Sequence, residues 1–98
     1  MSQRLYVLVR KDLPESYRAV QAGHAVAQWM LCDRDQLWLN ETLVYLGVDN
    51  EEDLMYWKDK LYYKNINYEE FREPDIGNQL TAIATLTEGK IFRKLKLI

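Results

Sequence analysis

SYRAVQAGHAVAQWML, residues 16–31, is the stretch whose reading decides the fold. Beyond its first turn the polar side chains are Arg18, Gln21, His24 and Gln28. At about 100° per residue, Gln21, His24 and Gln28 fall within about a 60° arc and Arg18 lies about 60° further round, so the spacing predicts a helix with one polar stripe. The remaining positions are apolar. Ala19, Ala22, Gly23, Ala25, Val26 and Ala27 are small enough for a neighbouring layer to approach closely, while Val20, Trp29, Met30 and Leu31 supply bulk. Such a helix is expected to be buried on most sides. An unpaired buried amide or imidazole costs about 1–3 kcal/mol, so the stripe must be satisfied internally or line a cleft, and a cleft is expected.

Outward from that helix, residues 5–10 (LYVLVR) form an unbroken apolar run, the pattern of a central strand covered on both faces. Asp12-Leu13-Pro14-Glu15-Ser16 is the connecting turn, with proline tolerated in a first helical turn and Asp12 or Ser16 placed to cap it. On the far side, Asp33-Arg34-Asp35 ends the helix, and residues 35–39 are expected to form a short helix packing Leu37 and Trp38 on the core. Residues 42–48 (TLVYLGV) read as a second strand. The run from Asp49 to Asp53 supplies a cap and first-turn acids for another helix, with Lys58, Lys60 and Lys64 toward its other end. Leu54, Trp57, Leu61 and Tyr62 make its core-facing stripe, which marks the acid run as a solvated helix start and not as a metal or substrate site.

Residues 68–72 read as an edge strand stopped before Pro74, residues 75–79 (DIGNQ) as a turn, and residues 80–86 (LTAIATL) as a buried strand returning antiparallel. Gly89 punctuates the chain again, and Ile91, Phe92, Leu95 and Leu97 close it as an amphipathic turn or helix with basic side chains outward. The order of elements predicts an α/β fold, three-layer α/β/α, with a mixed four-stranded sheet. Its first two strands are parallel, and residues 5–10 and 80–86 are adjacent at its centre.

With 98 residues, 48% hydrophobic and 29% charged, the chain suits a single domain spanning residues 1–98. It has no run of about 18 apolar residues and no signal-peptide pattern at its start, so a cytoplasmic protein that does not enter a membrane is expected. A lone cysteine, Cys32, excludes an intrachain disulfide, and a lone histidine leaves no metal-ligand cluster, so neither metal nor cofactor is expected. The net charge of −2 repels phosphate overall. Any RNA affinity must therefore come from a local patch, for which Arg10, Lys11, Arg18 and the acid-free run holding Lys90, Arg93, Lys94 and Lys96 are the candidates. Tyr56, Tyr62 and Tyr63 predict an exposed apolar patch, and with it a homodimer.

Four stretches together resemble the archaeal and eukaryotic type of peptidyl-tRNA hydrolase. Val9-Arg10-Lys11-Asp12-Leu13 is similar to that family's V-R-x-D-L, Ala19-Val20-Gln21-Ala22-Gly23-His24-Ala25 to its A-A-Q-x-x-H-A, and Asp75-Ile76-Gly77 to its strand-ending D-x-G. Thr81 opens the last long strand, followed at the C-terminus by Leu95-Lys96-Leu97; Trp38 also falls where the family carries a tryptophan. The resemblance spans nearly the whole chain in the same order. It implies a three-layer fold with a mixed four-stranded sheet, often dimeric, and hydrolysis of the ester joining a peptide to tRNA. The chain departs from the family at the G-K-G-K loop, whose lysines the family associates with catalysis and tRNA contact; here those positions read Pro14-Glu15-Ser16-Tyr17, and no lysine lies between Lys11 and Lys58.

Ester hydrolysis needs a base to orient water, donors for the developing oxyanion, and a hold on the tRNA end. His24 is the candidate base, since imidazole titrates nearest neutrality, with Asp75 to orient it or to act on water itself. Gln21 and Thr81 are the candidates to position water or substrate. Arg10, Lys11 and Arg18 would supply charge near the ribose-phosphate, with Asn78 beside them as a substrate-binding residue. Two classes of function follow. One is an esterase acting on peptidyl-tRNA; the other is a non-catalytic member of the same fold that binds a small ligand, a protein or an RNA end, such as the tRNA acceptor end.

Overall fold

The computed structural model describes residues 3–32, 38, 39 and 41–98. The chain runs β1 (Arg4–Arg10), α1 (Glu15–Cys32), β2 (Leu43–Val48), α2 (Glu51–Tyr63), β3 (Tyr68–Glu73), a 3-10 turn at Pro74–Ile76, β4 (Gln79–Thr87), a 3-10 turn at Lys90–Phe92, and β5 (Lys96–Leu97). β1 is central because alternate residues of its apolar run serve opposite layers. Leu5, Val7 and Val9 pack with Ala22, Ala25 and Trp29 of α1, whereas Tyr6 and Leu8 pack with Leu54 and Leu61 of α2. It pairs parallel with β2 (Val7 opposite Tyr45) and antiparallel with β4 (Val7 opposite Ala84). Among the described residues the sheet order is β3-β4-β1-β2-β5, with α1 packed on one face of this mixed sheet and α2 on the other, and residues 5–10 and 80–86 lie side by side, as their lack of a solvent face requires.

Among the described residues the sheet has five strands where four are expected. Lys96 and Leu97 pair antiparallel with Gly47 and Leu46, and a two-residue strand is too short to show the alternation by which strands are recognised. α1 is also less buried than its composition implies. Gln21, Ala22, Ala25 and Trp29 are buried, but Val20, Met30 and Leu31 are 53%, 55% and 66% exposed. A helix lying on a sheet need turn only a stripe of about 100° toward it, and the small apolar residues on the opposite side of α1 meet solvent.

In α2 the Asn50 side chain accepts from the Asp53 amide at 2.9 Å, which is the expected cap. Leu54 and Leu61 are buried and Trp57 is half-buried, but Tyr62 lies off the stripe and is exposed together with Tyr56 and Tyr63. The expected helix end at Asp33-Arg34-Asp35 and most of the short helix at residues 35–39 fall outside the described residues. Trp38 and Leu39 are not helical; Trp38 packs on the α1-side core and its indole donates to the Thr42 carbonyl at 2.9 Å. Among the described residues no helix is long and apolar enough to cross a membrane.

One irregularity positions the polar groups. β3 and β4 pair with Phe71 opposite Ala82 and then Arg72 opposite Leu80, so Thr81 is an extra residue on β4. A bulge of this kind re-aims the side chains beside it. Ala82 joins the α1-side core, Leu80 joins the α2-side core, and Thr81 bonds to α1.

Candidate functional site

On α1, Tyr17, Gln21 and His24 fall on one flank at i, i+4 and i+7 and face the end of β3. Gln21 is fully buried. Its amide nitrogen donates to Glu73 Oε1 at 2.8 Å, and its amide oxygen accepts from Thr81 Oγ1 at 2.7 Å. Thr81 is equally buried, and its hydroxyl also lies 3.3 Å from the Phe71 carbonyl. Glu73, the last residue of β3, bonds through its other oxygen to the Asp75 amide at 3.2 Å and so caps the 3-10 turn at Pro74–Ile76. The hydrogen bond from Gln21 holds the Glu73 carboxyl below the ordinary glutamate range, assisted by the Asp75 amide and, against the cost of burial, by the charge of His24.

His24 is exposed and lies flat on Phe71, with ring centroids 4.3 Å apart and planes 8° from parallel. It is not hydrogen-bonded to Asp75 among the described residues; what links the two is Glu73, which feels His24 and is bonded to the Asp75 backbone. Tyr17 completes the rim. Partial burial pushes its hydroxyl pKa up, and the charges of Glu73 and Asp75 push it further. Glu73 and Tyr17 are the two members that the sequence reading missed. The available signals were the carboxylate placed immediately before Pro74 at a strand end, and the position of Tyr17 one helical turn before Gln21.

The other candidates do not join this cluster. Arg10 shares its strand face with Leu8 and therefore lies on the α2 side. Its guanidinium binds both oxygens of Asp12 at 2.9 Å, Gln79 Oε1 at 2.8 Å and the Leu80 carbonyl at 3.2 Å. The hydrogen bond to Asp12 raises the Arg10 pKa against desolvation, with Glu51 adding to it, and in turn lowers that of Asp12, which is thus an ion-pair partner and not a helix cap. The expectation that Arg10 supplies charge at the same site as Gln21, His24, Asp75 and Thr81 is therefore corrected: strand alternation sends Arg10 to the opposite layer.

Arg18 donates to the Leu13 carbonyl at 2.8 Å and the Lys11 carbonyl at 2.7 Å, clasping the loop between β1 and α1. It also borders a cavity of about 290 Å³ with Glu15, Tyr45 and Ile98. Lys11 lays its stem on Gly47 and pairs with Asp49 at 3.0 Å. Asn78 sits with φ of 60° in the turn after Gly77, its carbonyl accepting from Arg72 at 3.2 Å. Among the described residues no three His, Cys, Asp or Glu side chains are grouped to hold a metal ion.

The comparisons agree with the architecture and stop there. No family model matches the chain, and no curated protein matches it. Among solved structures it is similar to a protein of unknown function from Agrobacterium tumefaciens strain C58, with a TM-score of 0.73 at 15% identity, covering 100% of this chain and 98% of that one. At that identity the likeness is one of fold.

Proposed function

We propose that the chain is a non-catalytic domain of peptidyl-tRNA hydrolase-like fold that binds an RNA end. The observation carrying this reading is the state of Gln21 and Thr81, which are 0% exposed and hydrogen-bonded to one another, with Gln21 also bonded to Glu73. A group that positions water or substrate has to present a donor or acceptor to the reacting atoms, and these two present theirs inward. Arg10 and Arg18, the arginines expected to supply charge near the ribose-phosphate, are similarly engaged with Asp12, Gln79 and backbone carbonyls. Gln21 thus fastens helix to sheet, and Arg18 fastens the loop that leads into the helix. The RNA half of the proposal is supported by the sequence resemblance and by a local cluster of cations that have no ion-pair partner among the described residues, in a chain whose net charge is −2.

A second reading, the esterase, is favoured by one observation: an exposed imidazole, His24, stacked on Phe71 and close enough for its charge to help hold the Glu73 carboxyl ionised. The two separate in one assay. Purified protein is incubated with an N-blocked aminoacyl-tRNA, and ester loss is compared with the spontaneous rate; in parallel, binding is measured to a short single strand with a free 3′ end. The proposal expects binding without turnover. Turnover abolished by His24→Ala would establish the esterase instead.

A further inference from the structure

On the opposite face from Gln21, a groove of about 660 Å³ runs between the C-terminal half of α2 and the 3-10 turn at Lys90–Phe92. Lys60, Lys64, Lys90, Arg93 and Lys94 line it, with no acidic residue among the lining side chains. These are five of the chain's 13 basic residues. The described ion pairs lie elsewhere, at Arg10–Asp12, Lys11–Asp49, Lys58–Glu70 and Arg72–Glu70, so the groove cations have no carboxylate partner among the described residues.

The cluster is built from both sides. Lys60 lies in the last turn of α2 and Lys64, four residues on, is its C-cap, where the helix dipole favours positive charge. Facing them, Phe92 is buried against Trp57 at 5.4 Å between centroids, which pins the 3-10 turn and fixes the side from which Lys90, Arg93 and Lys94 emerge. Five like charges on one concavity repel one another, so folding gains nothing from bringing them together; a bound polyanion reverses that balance.

The walls carry a second, independent feature. Tyr56 is 58% exposed on the groove and stands edge-on to Trp57 at 5.5 Å, with the Lys60 ammonium over both rings at 5.8 and 5.0 Å. Exposed rings between cations are how single-stranded nucleic acid is held, phosphates on the charges and bases on the ring faces. An acidic peptide would use the cations and leave the rings unused.

We infer that the groove between α2 and the Lys90–Phe92 turn is a binding site for single-stranded nucleic acid, with phosphates on Lys60, Lys64, Lys90, Arg93 and Lys94 and a base on Tyr56. It deepens the RNA-binding reading by naming a surface and a mode, and it needs no free end.

The test is fluorescence anisotropy on the full chain across a salt series. The probes are a labelled linear eight-nucleotide oligouridylate, its circular form, a duplex of the same length, and polyglutamate as competitor. Single strands should bind more tightly than the duplex. Lys60→Gln, Lys64→Gln and Lys94→Gln combined should weaken binding more than tenfold and flatten the log-log salt slope by about 2, from roughly 0.7 per phosphate contact. Tyr56→Ala should weaken binding at least about fivefold with the slope unchanged, a signature of stacking. Thermal unfolding of each variant must match the parent, and Lys58→Gln, on a cation already paired to Glu70 and outside the groove lining, should bind as the parent does. Absence of single-strand binding at the lowest salt overturns the inference, as does displacement by polyglutamate combined with no effect of Tyr56→Ala, which would identify an acidic protein partner. Equal binding of linear and circular strands, lost in the triple variant, upholds the groove and refutes the end-binding reading. Binding that needs a free end and survives the triple variant does the reverse.

Discussion

Thr81 Oγ1 donates to Gln21 Oε1 at 2.7 Å across the boundary between sheet and helix, at the single residue by which β4 outruns β3. The bulge and the bond depend on each other. Without the bulge Leu80 and Ala82 would share one face and Thr81 would take the other, and without a donor the buried Gln21 oxygen would be left bare. This pair, with Glu73 beneath it, joins α1, β3 and β4 at one point.

Thr81→Val tests that joint. Valine keeps the volume and the β-branch but removes the hydroxyl, leaving the Gln21 oxygen buried without this donor. Stability should fall by about 1–3 kcal/mol in urea unfolding with an unchanged m-value. A change within about 0.5 kcal/mol, the usual span for substitutions away from such features, would show that the bond is not a fastening.

The acid limb of stability should report Glu73. Its folded pKa lies below the ordinary glutamate value, so in acid the unfolded chain binds more protons than the folded one. Stability must then rise with pH through that range. The contribution is complete above about pH 5 and is lost as the pH falls through the ordinary carboxylate range toward the lowered value. Asp12, depressed by Arg10, acts in the same direction. So does Glu70, where the hydrogen bond from Arg72 and the charge of Lys58 outweigh burial. Melting temperatures measured from pH 7 down to pH 3 should therefore decline less steeply in Glu73→Gln than in the parent; parallel curves would mean Glu73 is not held as described.

How much of this was legible in the sequence follows from which signals are periodic. α1 and α2 span several repeats of a 3.6 period, and β1, β2 and β4 are apolar runs long enough to read as strands, so their type and order follow from the sequence, while β3 follows from its place before Pro74. The bulge at Thr81 and the two-residue β5 have no period and leave no mark. Gln21 and His24 stand out as polar groups on an apolar helix, but the residue that engages Gln21 is Glu73, which belongs to another element and looks like an ordinary strand-end acid. Arg10 reads with them only as a charge for the same substrate, whereas its strand parity with Leu8 already sends it to the other face. The groove cations were half visible: Lys90, Arg93 and Lys94 form a run, but their proximity to Lys60 and Lys64 is purely tertiary.

Gly89→Ala should be more damaging than Gly77→Ala, although both glycines have positive φ, of 90° and 74°. A Cβ at Gly77 meets nothing within 4 Å, so only the left-handed backbone penalty of about 1–2 kcal/mol applies. At Gly89 the added carbon runs into the ring of Tyr6, which is buried against Phe92 at 5.3 Å, and overpacking adds about 1–3 kcal/mol. Chemical denaturation should rank parent, Gly77→Ala, Gly89→Ala in falling stability; a reversed order would refute the Tyr6 contact.

Arg18 separates a structural arginine from an RNA contact. Its Nε and Nη2 donate to two carbonyls in the loop that delivers β1 into α1, Leu13 at 2.8 Å and Lys11 at 2.7 Å. A guanidinium spans both because its donors form a rigid fork, which a lysine ammonium does not reproduce. Arg18→Ala should therefore cost about 1–3 kcal/mol of stability, since hydrogen bonds to charged groups exceed ordinary ones. Arg18→Lys should recover little of it. At a temperature where both variants remain folded, single-strand affinity and its salt slope should equal those of the parent, because Arg18 lies at the start of α1 and the cation groove lies between α2 and the Lys90–Phe92 turn. A salt slope lower by roughly 0.7, one phosphate contact, would instead make Arg18 part of the RNA surface.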